Sequence, residues 1–300
     1  MHRYLCAVLF VFFGFSGFSK TGWTPPRVLI VIAHPDDETT FAATIYKITK
    51  ELDGTADLFL ITNGEGGYKY STLAEAYYNK QLTDEKTGRE FLPQIRKQEL
   101  QNAGKIIGIR NFYFMDQTDA HYGLDEREPL DTSWHVSWVQ QRLTKVLKNG
   151  SYDFVFCLLP VPGTHGGHKA ASMLALRCVR DLKSDKKPVV LGASVAKKTD
   201  TLVTSFGQLK NYRETKTMAD TPMFVMDRTV KFGYKSALDY RIIVNWEIAE
   251  HKSQGTMQLA MNSGELEQFW YFDLNGKEGL EKTRSLFERL KIVPYITPVY

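Results

Sequence analysis

The chain has 300 residues, with 38 Lys plus Arg against 34 Asp plus Glu, and 43% of it is hydrophobic. A formal charge of +4 without a basic cluster argues against a nucleic-acid surface, and three cysteines are too few for a disulfide framework. The length fits one large α/β domain with elaborations.

The chain opens on an address. Met1-His2-Arg3 is a short positive head, Tyr4 to Phe18 is almost continuously apolar, and Gly17-Phe18-Ser19 offers small residues two apart. This pattern predicts a signal peptide over 1–19 and a secreted or periplasmic product, residues 20–300 forming a single domain. No later stretch is apolar for long enough to suggest a membrane span after cleavage.

Arg27 to Ala33 (RVLIVIA) reads as a parallel strand apolar on both faces. Phe41, Ile45, Ile48 and Leu52 recur at helical spacing over 38–52, and 57–62 is a second strand ending in the loop Asn63-Gly64-Glu65-Gly66-Gly67. A polar insert over 68–90 carries Tyr68, Tyr70, Tyr77 and Tyr78, and leads to a helix expected over 92–107. A short strand follows at 111–115, then a helix at 134–147 that Asn149-Gly150 would cap. Residues 152–159 form a fourth buried strand, 160–167 a loop, and 169–182 a helix. The pattern weakens from 197 to 222. Beyond it come an apolar stretch at 223–226, a helix near 240–253, another apolar stretch at 269–272 and a last helix near 282–290. Strand-helix alternation at this rhythm predicts a doubly wound, Rossmann-like, mostly parallel sheet with helices on both faces and a C-terminal mixed α/β elaboration. Cys157 on a strand and Cys178 on a helix read as two buried free thiols, although an oxidising compartment would permit a bridge.

Two clusters carry chemistry. Ala33-His34-Pro35-Asp36-Asp37-Glu38 closes the first strand, and Thr164-His165-Gly166-Gly167-His168 follows the fourth. Taken alone, the first also reads as a turn and helix start, and the glycines of the second as turn geometry. Open α/β sheets place ligands at the carboxyl ends of their strands, so the two clusters are expected to face each other across a crevice and share a metal.

In these motifs the chain resembles the PIG-L/LmbE-like family of zinc-dependent N-acetylglucosaminyl de-N-acetylases. Residues 33–38 match its first motif. Asn63-Gly64-Glu65-Gly66, Arg96-Lys97-Gln98-Glu99, Asp119, His165 to His168 and Glu250-His251-Lys252-Ser253-Gln254 are similar to later ones, in consistent order across about 27–255. The resemblance implies a zinc hydrolase that removes acetyl groups from an N-acetylated amino sugar or glycoconjugate. It implies Zn2+ on His34, Asp37 and His168, a set that also suits zinc chemically by leaving a position open for water. Asp36 is then the expected general base, and His165 the stabiliser of the oxyanion and an acid towards the departing amine. Arg96 and Asp119 are expected at the substrate, against local readings as a helix salt bridge with Glu99 and a turn-former. Glu38 is expected only to start the helix. His251 either approaches the site or meets a helix dipole. One departure stands out: Gly167 occupies a position where the family carries an aspartate between the two histidines. A metallo-amidase or esterase on a non-sugar acyl group, or a non-catalytic carbohydrate binder, are the alternative functions.

Overall fold

The computed structural model describes residues 23–184, 186–201 and 204–295, so the signal peptide expected over 1–19 lies outside the described residues. Seven strands form one sheet: β1 (Arg27–Ile32), β2 (Thr55–Thr62), β3 (Ile109–Gln117), β4 (Phe154–Leu158), β5 (Val189–Ala196), β6 (Phe224–Asp227) and β7 (Leu266–Tyr271). Their order is β3-β2-β1-β4-β5-β7-β6. The first five are parallel, and β7 runs antiparallel to both β5 and β6. The antiparallel edge is the C-terminal elaboration.

Eight helices accompany the sheet among the described residues: α1 (Ala42–Tyr46), α2 (Ala74–Tyr78), α3 (Glu85–Ile107), α4 (Val136–Gly150), α5 (Gly166–Arg180), α6 (Arg241–Glu250), α7 (Gly255–Gln258) and α8 (Glu278–Leu290). A tight 3-10 turn at Asp37–Phe41 and a wide π turn at Lys47–Glu51 extend α1 at both ends. Because strand side chains alternate, β1 feeds both layers. Val28, Ile30 and Ile32 pack with Phe41, Leu100, Ile243 and Leu286 from the turn before α1 and from α3, α6 and α8. Leu29, Val31 and Ala33 pack with Val139, Leu143, Leu174 and Val179 from α4 and α5. At about 25 cal/mol per Å² of buried apolar surface, this two-sided burial dominates the stability.

The sheet changes winding direction at β1, with β2 on one side and β4 on the other. That is the topological switch point where doubly wound sheets bind ligands. Both chemical motifs lie there.

Several local expectations shift. The helix α3 begins at Glu85 rather than 92, because the Asp84 side chain accepts from Thr87 N at 2.9 Å and caps a polar first turn. Gly150 stays in α4, and the left-handed residue that ends it is Ser151, at φ 48°. β5 had no counterpart in the sequence reading. Cys157 and Cys178 are both free and buried. Among the described residues, no helix is long and apolar enough to cross a membrane.

Candidate active site and metal centre

The chain leaves β1 through Ala33, His34 and Pro35 and turns at Asp36, whose φ of 110° is costly for a residue with a Cβ. The turn sends consecutive side chains in different directions. Asp37 points back: its Oδ2 accepts from the backbone N–H groups of Ala33 at 3.1 Å and His34 at 2.9 Å. Its Oδ1 lies 2.9 Å from His168 Nε2. The other ring nitrogen of His168 is hydrogen-bonded to Thr164 Oγ1 at 2.9 Å, which fixes the imidazole with Nε2 towards Asp37.

The loop after β4 ends at His165, and the helix begins at Gly166, earlier than the expected 169. His165 caps α5 and His168 lies in its first turn. Gly166 is required by close approach, since a Cβ there would meet Asp125 O at 2.4 Å. The imidazole centroids of His34, His165 and His168 are separated by 4.8, 5.0 and 5.4 Å. Their ligand-capable nitrogens lie within 4.8 Å of one another. The structure therefore brings His34, Asp37, His165 and His168 together.

Asp119 joins them from the segment after β3, its Oδ1 3.6 Å from His34 Nε2. Glu65 Oε1 accepts from its backbone N–H at 3.1 Å, and Arg89 of α3 donates to the carbonyls of Asp119 and Ala120 at 3.0 and 2.6 Å. His121 O, two residues on, lies 3.3 Å from His165 Nε2, and the Tyr122 ring stacks on the His165 ring at 5.1 Å. His34, Asp119, His121 and His165 border a cleft of about 100 Å³ at the carboxyl end of the sheet.

The electrostatics favour a cation. Burial disfavours a charged His34, yet Asp119 and Asp37 push it up to about 10. Against their own burial, Asp37 is held well below the carboxylate range by His168 and His34, and Asp119 by His34 and Arg96. His165 goes the other way, pushed down to about 4 by burial and by its two neighbouring imidazoles. Two anchored carboxylates facing imidazoles form a donor set that fits a divalent metal of borderline softness.

Asp36 is held by Arg96. Arg96 Nη2 donates to Asp36 Oδ2 at 3.0 Å and to Pro35 O at 2.5 Å, while Nη1 donates to Gly64 O. Gly64 adopts φ 71°, and a Cβ there would strike the guanidinium. Arg96 is only 3% exposed, so its fork serves the Asp36 turn instead of opening to a ligand or pairing with Glu99. Burial raises the Asp36 carboxyl to about 6 even though Arg96 pulls it down.

Glu38 does more than start a helix. It is fully buried, accepts from Asp36 N–H at 2.9 Å and lies 2.6 Å from His251 Nε2. Nearby, Arg228 donates to Glu267 at 2.9 Å and to Thr39 O at 2.6 Å, fastening the helix that follows the motif to β7. These supports were missed because their partners lie far away in sequence.

Gly167 is explained by space. A Cβ at this position would come within 3.2 Å of His34 Nε2, His34 Cε1 and His165 Nδ1, tighter than ordinary contact. Asp119 Oδ1 approaches the same His34 ring at 3.6 Å. Asp119→Asn is expected to weaken divalent-metal affinity by about 10–100-fold, the usual effect of losing such a support. Competition with a metal-sensitive dye measures this, and unchanged affinity would remove Asp119 from the metal environment.

Residues 29–179 match the family described as GlcNAc-PI de-N-acetylase, PIG-L. The chain belongs to this family. It is an enzyme of the deacetylase type, and its fold is the doubly wound α/β sheet expected. Among similar curated proteins is a probable N-acetyl-α-D-glucosaminyl L-malate deacetylase 2 of Bacillus cereus. It is 21% identical over 248 residues, covering 82% of this chain and 97% of that one. Similar solved structures include the N,N′-diacetylchitobiose deacetylase of Pyrococcus horikoshii, at 17% identity and TM-score 0.46, covering 81% of this chain and 83% of that one. Another is the 4-carboxy-2-hydroxymuconate hydratase of Pseudomonas putida, at 15% identity and TM-score 0.49, covering 82% and 95%.

Proposed function

We propose that this enzyme hydrolyses the acetamide of an N-acetylglucosamine-type sugar, free or conjugated, using zinc held by His34, Asp37 and His168. The observation that carries this reading is the separation of roles within one turn. Asp37 is turned to His168 at 2.9 Å, while the adjacent Asp36 is turned to Arg96 at 3.0 Å. A carboxylate committed to metal ligation is thereby kept apart from one left to accept a proton. Bound zinc would polarise the acetamide carbonyl and acidify a water beside it.

The chain's own groups supply the rest. Asp36, held by Arg96 and its own turn, accepts the proton of the attacking water. It is ionised at neutral pH because its carboxyl is raised only to about 6. His165 is neutral at that pH, and its imidazole faces His34, where its N–H can donate a hydrogen bond to the developing oxyanion; the departing amine takes the proton that Asp36 removed from the water, which restores the carboxylate. Asp119, on the cleft wall, orients His34 and lies within reach of sugar hydroxyls. Arg96 acts on substrate through Asp36. Support for the sugar comes from the family and from the Bacillus cereus relative, whose name specifies an N-acetylglucosaminyl compound. In this reading residues 1–19 direct the enzyme out of the cytoplasm.

Acetate release from a panel of N-acetylglucosamine derivatives, with unrelated acyl amides as controls, tests the substrate class. The expected result is release from at least one sugar, loss with chelator, and recovery with Zn2+. Turnover of acyl amides alone would overturn the sugar, and chelator-resistant turnover would overturn the metal.

A further inference from the structure

The tyrosine-bearing insert adds no residue to the catalytic cleft. It builds a separate groove of about 410 Å³ between α2, one face of α3 and the end of α6, four times the volume of the cleft and within the range of small-molecule sites. Its aromatic wall is preorganised. The Tyr78 hydroxyl donates to buried Glu99 at 2.6 Å, and Glu99 accepts in turn from Ser253 N–H at 2.8 Å and Ser253 Oγ–H at 2.6 Å. Tyr77 packs edge-on against Tyr78, with centroids 4.9 Å apart at 81°, and is 66% exposed. A locked ring thus supports an open one.

The surrounding groups narrow the ligand. The walls are helix surfaces, not a strand edge, so recognition falls to side chains. Lys252 is paired with Glu250 at 3.1 Å and its Nζ also lies 5.7 Å from the Tyr77 ring centroid, leaving the rest of that ring to solvent, and Lys80 lies over the Phe91 ring at 3.6 Å, so both cations are engaged. With Glu99 and Glu250 also present, the groove disfavours a polyanion. What remains is the solvent-exposed part of the Tyr77 ring beside the neutral amides of Gln98 and Asn102, which are hydrogen-bonded at 3.0 Å. That combination suits a neutral ligand with an apolar ring face and a hydroxyl or acetamide rim.

We propose that this groove is a second, non-catalytic binding site for a neutral N-acetylhexosamine oligosaccharide, with Tyr77 as its stacking platform. The choice of sugar rests on the reading of the cleft given above. The groove and the Asp36 clamp share one helix, since Glu99 follows Arg96 by three residues on α3. A glycan chain could therefore be retained on the enzyme independently of turnover.

Titration of the full chain carrying Asp36→Asn with triacetylchitotriose is the test, since this variant does not consume the probe. Two binding events are expected. Adding Tyr77→Ala should weaken one of them at least tenfold and leave the other unchanged, and Tyr77→Ala alone should not alter acetate release from a monomeric N-acetyl sugar. Tyr77 is exposed, so the variant is expected to fold. Gln98→Ala gives an independent check on the same event. Binding events, one or two, that Tyr77→Ala leaves unchanged would overturn the groove. The two readings fail separately. Tyr77-dependent binding without acetate release from any sugar refutes the cleft alone, and acetate release without Tyr77-dependent binding refutes the groove alone.

Discussion

Replacing Asp36 by Asn is expected to lower acetate release by about 10²–10⁴-fold, the usual worth of a positioned general base, while leaving the metal bound. Asn keeps the shape and an oxygen that Arg96 can still reach, and Arg96 retains the carbonyls of Pro35 and Gly64, so the turn should persist. The ligand-bearing Asp37 is held by other atoms altogether. Metal content and thermal unfolding are the controls. Full activity with bound metal would show that the proton goes elsewhere. The pH profile gives a second test with a definite sign. Asp36 serves as a base only when ionised, so kcat/KM should rise as pH climbs through about 6. Arg96 pulls that carboxyl down, so Arg96→Gln should move the acid limb to higher pH. A limb that stays in place would mean that Arg96 does not control Asp36.

The sheet and most helices were legible because their signals are local. The run RVLIVIA can only be buried on both faces, and helical spacing over 38–52 survives even though the helix tightens at one end and widens at the other. β5 escaped because Gly192 and Ser194 interrupt its apolar run. Gly192 is there because a Cβ would meet the Phe272 ring at 2.8 Å, a constraint set by a residue 80 positions away. The His34, Asp37, His165 and His168 cluster was legible because residue chemistry and strand-end placement coincide. Its supports were not. Glu38 looks like any acidic residue in a first helical turn until the fold brings His251 to it, and Arg89 is one of many helix-surface arginines until the segment after β3 lies across it. Glycines misled for a similar reason. Gly166 and Gly167 suggested a loop, yet they begin a helix, where backbone leaves no room for a side chain at Gly166 and imidazoles crowd the position of Gly167.

The second large effect concerns stability. Glu247 on α6 is fully buried, and neither of its carboxylate oxygens has a hydrogen-bond partner. Burial, with the charges of Glu38 and Glu267 adding to it and Arg228 opposing, raises its pKa well above the usual value of 4.5. The folded chain therefore holds a proton there that the unfolded chain releases. The sign follows. The neutral carboxyl suits the fold fully below about pH 4.5, and stability is lost as pH rises towards the folded pKa, at up to about 1.4 kcal/mol per pH unit. His251 acts in the same sense at higher pH. Although burial opposes its charging, Glu38 raises its pKa above 6.5, so its contribution is complete below 6.5 and fades above. Asp36 and Glu65 are raised by burial too, so the absolute curve mixes several groups, and the difference from a Glu247→Gln variant is what isolates Glu247. Gln is isosteric with the protonated acid but cannot release a proton. Urea unfolding of both proteins between pH 5 and 8 should give curves that diverge with rising pH, the variant becoming progressively the more stable. Parallel curves would show that Glu247 releases its proton at the same pH in both states. Divergence would show that a buried site coupled to Glu38 resists charging, so that the packing behind the catalytic turn weakens as pH rises.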